Sequence, residues 1–156
     1  MSAAVISDQL FPARAASEVF KIFAVDDDPL DLWMLQQFSE EAINPRCEMM
    51  EFSTIAAVLA AVKVSTPNLV ILDDNIDGAL SADTGIAALR ANGYMGAIAV
   101  VSGFWRPGRR QSLVQRGAFA FLDKEDLTPT AFMGLVDMAI AAETYLKLPR
   151  ANIVIR

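Results

Sequence analysis

Phe20-Lys21-Ile22-Phe23-Ala24-Val25-Asp26-Asp27-Asp28-Pro29 is the stretch that decides the fold. Six residues of a mostly apolar, β-favouring run lead into three carboxylates and a proline. A second run of the same kind, Leu69-Val70-Ile71-Leu72, closes on Asp73. Open parallel sheets place their chemistry at such strand ends. Like charges about 4 Å apart repel by roughly 4 kcal/mol at an effective dielectric of 20, so carboxylates gathered at one edge call for a cation.

Outward from these two runs the chain alternates. Short β-rich runs near 20–25, 47–52, 68–73, 97–101 and 119–122 are separated by helical stretches, a pattern that predicts a parallel sheet wrapped by helices. The first helix is expected to open at Pro29 with Asp28 as its N-cap and to lay Leu30, Trp33, Met34 and Phe38 on the sheet. A second follows Ser53-Thr54. A third aligns Ala82, Ile86 and Leu89 and stops at Gly93. A short basic helix spans Arg109–Arg116, ending near Gly117. The last opens at Thr128-Pro129 and runs to about Lys147, ahead of Pro149.

On that last helix Phe132, Leu135, Val136 and Ala139 form a core stripe, while Met133, Ile140, Tyr145 and Leu146 widen the apolar surface. Either the N-terminal extension or the tail Ile153-Val154-Ile155 covers the excess, or it is a contact surface. The sequence divides into an extension over 1–19, expected to pack as a short helix, a domain over 20–148 and a tail over 149–156.

Composition narrows the function. A chain of 156 residues, 54% of them hydrophobic and 21% charged, suits one domain with a real core. The net charge of -6 argues against a nucleic-acid surface, because phosphate neutralisation needs clustered Lys and Arg, and basicity here is confined to Arg106, Arg109, Arg110 and Arg116. These arginines read as a solvated helix face. The single Cys47 lies in an apolar stretch, reads as a buried small hydrophobe and suits a reducing cytoplasm. No leader peptide is evident and no membrane insertion is expected, since Asp137 interrupts the most apolar stretch. With no histidine in the chain, a histidine base, ligand or phosphocarrier is excluded.

The strand ends carry the chemistry. A carboxylate can attack phosphorus once the negative charges of donor and acceptor are neutralised. Magnesium does this with oxygen ligands. Asp27 and Asp73 read as direct ligands, Asn75 as a backbone-carbonyl ligand and Asp26 as one acting through water. Ser102, after Ala97–Val101, and Lys124, after Phe121-Leu122-Asp123, are placed to hold phosphoryl oxygens.

Taken together, Ile22–Pro29, Pro67–Asp73, Ala99–Gly103 and Gly117–Lys124 resemble, in order and separation, the receiver domain of two-component response regulators, of the stand-alone single-domain type. The resemblance covers about Phe20 to Lys147. It implies a flavodoxin-like five-stranded parallel sheet of order 2-1-3-4-5 with helices on both faces, an order that the general rule for such folds already illustrates with a chemotaxis member of this family. It also implies that Asp73 accepts a phosphoryl group from a histidine kinase or phosphotransfer protein, that Asp26 and Asp27 bind magnesium, and that Ser102 and Lys124 read the modification. Phe121 takes the place of the switch aromatic on the fifth strand. Output would pass to a downstream protein or a second copy through the face of helix 4, strand 5 and helix 5, which would hold Arg109, Arg110 and Phe121.

Three departures stand out: Glu125 where proline commonly follows the lysine, an acidic proline-free loop Asp74–Leu80, and the rings Phe104-Trp105 after Ser102-Gly103. Two other functions compete. One is a receiver-like interaction module that never takes phosphate; the clustered carboxylates weigh against it. The other is a magnesium-dependent phosphatase with Asp73 as nucleophile, faintly echoed in Asp73-Asp74-Asn75, but Asn75 breaks that motif.

Overall fold

The computed structural model describes residues 18–147. Residues 1–17 of the extension, the whole tail with Ile153-Val154-Ile155, and the side chains of Tyr145 and Leu146 lie outside the described residues. Five strands alternate with five helices: β1 Phe20–Val25, α1 Pro29–Glu41, β2 Cys47–Phe52, α2 Ile55–Val62, β3 Leu69–Asp73, α3 Ala82–Ala91, β4 Ala97–Ser102, α4 Arg109–Arg116, β5 Ala120–Asp123 and α5 Pro129–Lys147. Every pairing in the sheet is parallel, and the order is β2-β1-β3-β4-β5. This is the flavodoxin-like arrangement expected from the sequence.

Strand alternation builds two cores. Phe20, Ile22, Leu69, Ile71, Ala99 and Val101 meet Leu32 and Leu35 of α1 and Phe132, Leu135, Val136 and Ala139 of α5. Phe23, Val25, Val70, Leu72, Ile98 and Val100 meet Val58 of α2, Ile86 and Leu89 of α3 and Leu113 of α4. With both faces covered, the central strands carry near-continuous apolar runs, and β3 is buried along its whole length.

The helix ends follow from short-range chemistry. Asp28 caps α1 by accepting from the Leu30 amide at 2.9 Å, and Thr128 accepts from the Ala131 amide at the start of α5. Gly117 ends α4 at φ 114°, where its amide bonds back to Val114. At the amino edge of the sheet the Arg90 guanidinium donates to the carbonyls of Tyr94, Gly96 and Gly117, joining the end of α3 to the starts of β4 and β5.

Two expectations about helix faces are corrected. On α1 the residues turned inward are Leu32, Leu35 and Ser39, with Met34 and Phe38 half-buried, whereas Leu30 and Trp33 are 68% and 58% exposed. At about 100° per residue, the rotation that brings Asp31 over the sheet edge turns Leu30 and Trp33 outward. On α5, Met133 and Ile140 pack against the first core and are not surplus apolar surface. Among the described residues no helix is long and apolar enough to cross a membrane.

The acidic segment after β3 is a two-stranded hairpin, Asn75–Ile76 against Ala79–Leu80, where the sequence reading placed only a loop. Asp77 and Gly78 both have positive φ, 55° and 76°, as a two-residue primed turn requires.

Candidate functional site

The carboxyl ends of β1, β3, β4 and β5 meet at one edge, around a cleft of about 710 Å³ lined by Asp27, Asp73, Asn75, Ser102, Phe104 and Lys124 among others. Carboxylate oxygens of Asp26, Asp27 and Asp73 lie within 4.8 Å of one another. Asp26 and Asp73 are buried and Asp27 is exposed. The strand ends fix them, since the Asp26 amide continues the ladder to Phe52 and Asp73 sits in register with Val101. Asp26 also accepts from the Asp28 amide and Asp73 from the Asn75 amide, while Asp27 Oδ2 takes the Asp77 amide of the hairpin at 2.9 Å.

Lys124 closes the group from the turn after β5. Its Nζ stands 3.2 Å from Asp26 Oδ2, 3.3 Å from Asp73 Oδ2 and 2.7 Å from Asp31 Oδ2. Burial raises the Asp26 carboxyl to about 7, and the neighbouring Asp73 charge adds to this against the pull of the Asp28 amide and Lys124. Burial likewise raises Asp73, with Lys124 opposing. For Lys124, burial alone lowers the ammonium, but the Asp31 hydrogen bond and the charges of Asp26 and Asp73 outweigh it and hold the pKa well above the ordinary lysine value. Around this one amine stand three carboxylates, a surplus of negative charge.

That donor set fits a hard divalent cation. Three carboxylate oxygens converge, two of them on buried groups that a single lysine does not neutralise, and oxygen is the ligand magnesium prefers. Asn75 borders the same cleft.

The remaining residues expected at the site are also here. The Ser102 hydroxyl lines the cleft but is turned into its own loop, donating to the Phe104 carbonyl at 2.7 Å and accepting the Phe104 amide at 3.2 Å. Phe121 is half-buried against the second core, with the Trp105 ring edge-on to it at 5.5 Å. Trp105 is in turn held by a hydrogen bond to Asp123 and by Arg110, whose guanidinium lies 4.9 Å from the indole centroid and 3.0 Å from the same carboxylate. Phe104 is 73% exposed at the rim.

Arg109 departs from expectation. It is nearly buried, grips Asp74 with two hydrogen bonds of 2.9 and 2.6 Å and reaches Asp83 of α3 at 3.0 Å. It is therefore no solvated helix residue, and it is unavailable to the proposed output face. The Asp74 hydrogen bonds raise its pKa further above the ordinary arginine value, and its bond to Asp83 lowers that carboxyl. Asp74 is fully buried, and besides Arg109 it takes the Ala82 amide at the start of α3. Its carboxylate is thus committed away from the cleft. Sequence reading also missed Asp31. Its place was the available signal, because a helix opening at Pro29 puts Asp31 in the first turn, beside the strand end that carries Asp26 and Asp27.

Fold and site geometry together define the class: the chain has the fold of response-regulator receiver domains. Similar solved structures include the signal receiver domain of NarL from Mycobacterium tuberculosis, 24% identical over 78% of this chain and 97% of that one at a TM-score of 0.67. The chemotaxis response regulator CheY4 of Vibrio cholerae is 18% identical over 78% and 99% at 0.67. A two-component response regulator from Clostridium difficile is 15% identical over 78% and 95% at 0.68. No family model matches the chain, and no curated protein matches it by sequence.

Proposed function

We propose that residues 20–148 form a receiver that accepts a phosphoryl group on Asp73 from a histidine kinase or phosphotransfer protein and signals through altered protein contacts. The observation that carries this reading is the buried Asp73 carboxylate at the end of the central strand, 3.3 Å from Lys124 and grouped with Asp26 and Asp27. Asp26, Asp27 and Asp73, with the Asn75 carbonyl, would hold magnesium. That ion supplies charge neutralisation for the carboxylates and the phosphoryl oxygens.

In the transfer a carboxylate oxygen of Asp73 bonds to phosphorus as the phosphorus–nitrogen bond to the donor imidazole breaks, and the imidazole departs with a proton. Lys124 neutralises a phosphoryl oxygen and the Ser102 hydroxyl, released from Phe104, donates to another. Ser102 moves the loop that carries Trp105, and Trp105 packs on Phe121, so the aromatic pair is the mechanical route from site to surface. The modification adds about two negative charges and removes the carboxylate's one, enough to bias a two-state loop. The product is a covalent signal and not a released metabolite, so the role is that of a switch and not a turnover enzyme. Its work is expected in the cytoplasm, with a downstream protein or second copy meeting the face of α4, β5 and α5.

Acetyl phosphate with magnesium, followed by intact-mass measurement, tests the proposal. Wild type should gain one phosphate-sized increment and Asp73→Asn none. Equal behaviour of the two would overturn it and leave the phosphate-independent interaction module.

A further inference from the structure

The shortest contact of Lys124 is to a residue that receiving a phosphoryl group does not require. Nζ lies 2.7 Å from Asp31 Oδ2, closer than to Asp26 or Asp73. Asp31 sits in the first turn of α1 and its side chain is 22% exposed. A carboxylate there ordinarily answers the helix dipole and needs no distant partner. This one instead reaches a lysine 93 residues away in the chain.

We propose that Asp31 is a positioning residue that takes the shortest bond of the Lys124 ammonium in the unmodified protein, in competition with Asp73, and yields it when a phosphoryl group arrives. The inference rests on the role proposed above for Asp73. An ammonium has three N–H donors, and its shortest bond here is made to Asp31. To meet a phosphoryl oxygen, Lys124 must loosen that bond. Asp31 also adds a further negative charge to a cleft that has to admit an anionic donor. Both effects slow modification of Asp73, and the first ties the position of α1 to the phosphorylation state through one amine.

The experiment uses the full chain as wild type, Asp31→Asn and Asp31→Glu. In one arm acetyl phosphate and magnesium are added and mass gain is followed in time; an oxygen of Asp73 bonds to phosphorus as acetate leaves. In the other, the Lys124 ammonium resonance is recorded by proton–nitrogen NMR with neither magnesium nor donor present. Asp31→Asn, nearly isosteric, should phosphorylate about 3- to 10-fold faster and shift the Lys124 resonance. Asp31→Glu, which keeps the charge, should return the rate to within about twofold of wild type. An unchanged or slower Asp31→Asn rate overturns the proposal, as does an unmoved Lys124 resonance; a lowered melting temperature with an unchanged rate would mark a helix-end role alone. Should wild type take no phosphate, the reading of Asp73 falls, and the hold of Asp31 on Lys124 is judged by the resonance.

Discussion

Asp73 and Asp74 are neighbours at the end of one strand, and they sit in opposite electrostatic worlds. Asp74 is completely buried and answered in full, by two hydrogen bonds from Arg109 and one from the Ala82 amide. Asp73 shares Lys124 with Asp26 and Asp31, and burial raises its pKa. Two carboxylates to one bidentate guanidinium make a clamp; three carboxylates around one amine leave negative charge in excess. Side-chain chemistry is the same in both places, so what separates scaffold from reactive group is how completely the charge is compensated.

Removing a partner from each side should break the contrast in opposite directions. The largest effect is expected for Arg109→Met, which strands the buried Asp74 carboxylate and should lower unfolding stability by about 3–5 kcal/mol in urea titration. A loss below roughly 1 kcal/mol would show the clamp to be dispensable.

On the other side, acidity should help. Asp26 titrates at about 7 in the folded chain, above the ordinary aspartate value, so between these points the native state binds a proton that the unfolded chain lacks. Stability is therefore fully present at low pH and is lost as pH rises through about 7. Metal-free protein should be more stable at pH 5 than at pH 8 by roughly 2–4 kcal/mol, and magnesium should recover much of the difference at pH 8. Asp73→Asn, by deleting the repelling neighbour, should flatten the slope; chemical denaturation across pH would read all three. The smallest effect is assigned to Phe104→Ala. Its exposed ring borders the cleft and is expected to hinder attacking water, so the variant should lose phosphate about 2- to 5-fold faster with stability changed by less than about 0.5 kcal/mol. An equal dephosphorylation rate would end that idea.

The legible part of this molecule was the part written in local pattern. Strand runs ending in Asp26, Asp73, Ser102 and Asp123-Lys124, together with caps such as Asp28 and Thr128, specify the sheet and the edge where the site gathers. Helix rotation was less readable. Leu30 and Trp33 fit an apolar stripe by spacing, yet the packing of α1 is decided by Leu32, Leu35 and the pull between Asp31 and Lys124. The hairpin was announced by Asp77-Gly78, a turn pair whose meaning was masked by the acidity around it. Arg109 carried no such mark: its partners lie 35 and 26 residues away, and only the folded sheet brings them together.

The triple grip of Arg90 on the carbonyls of Tyr94, Gly96 and Gly117 sits at the edge of the sheet opposite the cleft. A single guanidinium there stitches two connections, α3–β4 and α4–β5, into one seam. At the carboxyl edge Arg109 ties Asp74 to Asp83 and Lys124 ties the end of β5 to α1, whereas Ser102 bonds only within its own turn and Asp27 takes one hairpin amide. Freedom at the carboxyl edge is thereby narrowed to the turn from Ser102 to Phe104, which can change shape while the guanidinium clamps on either edge hold.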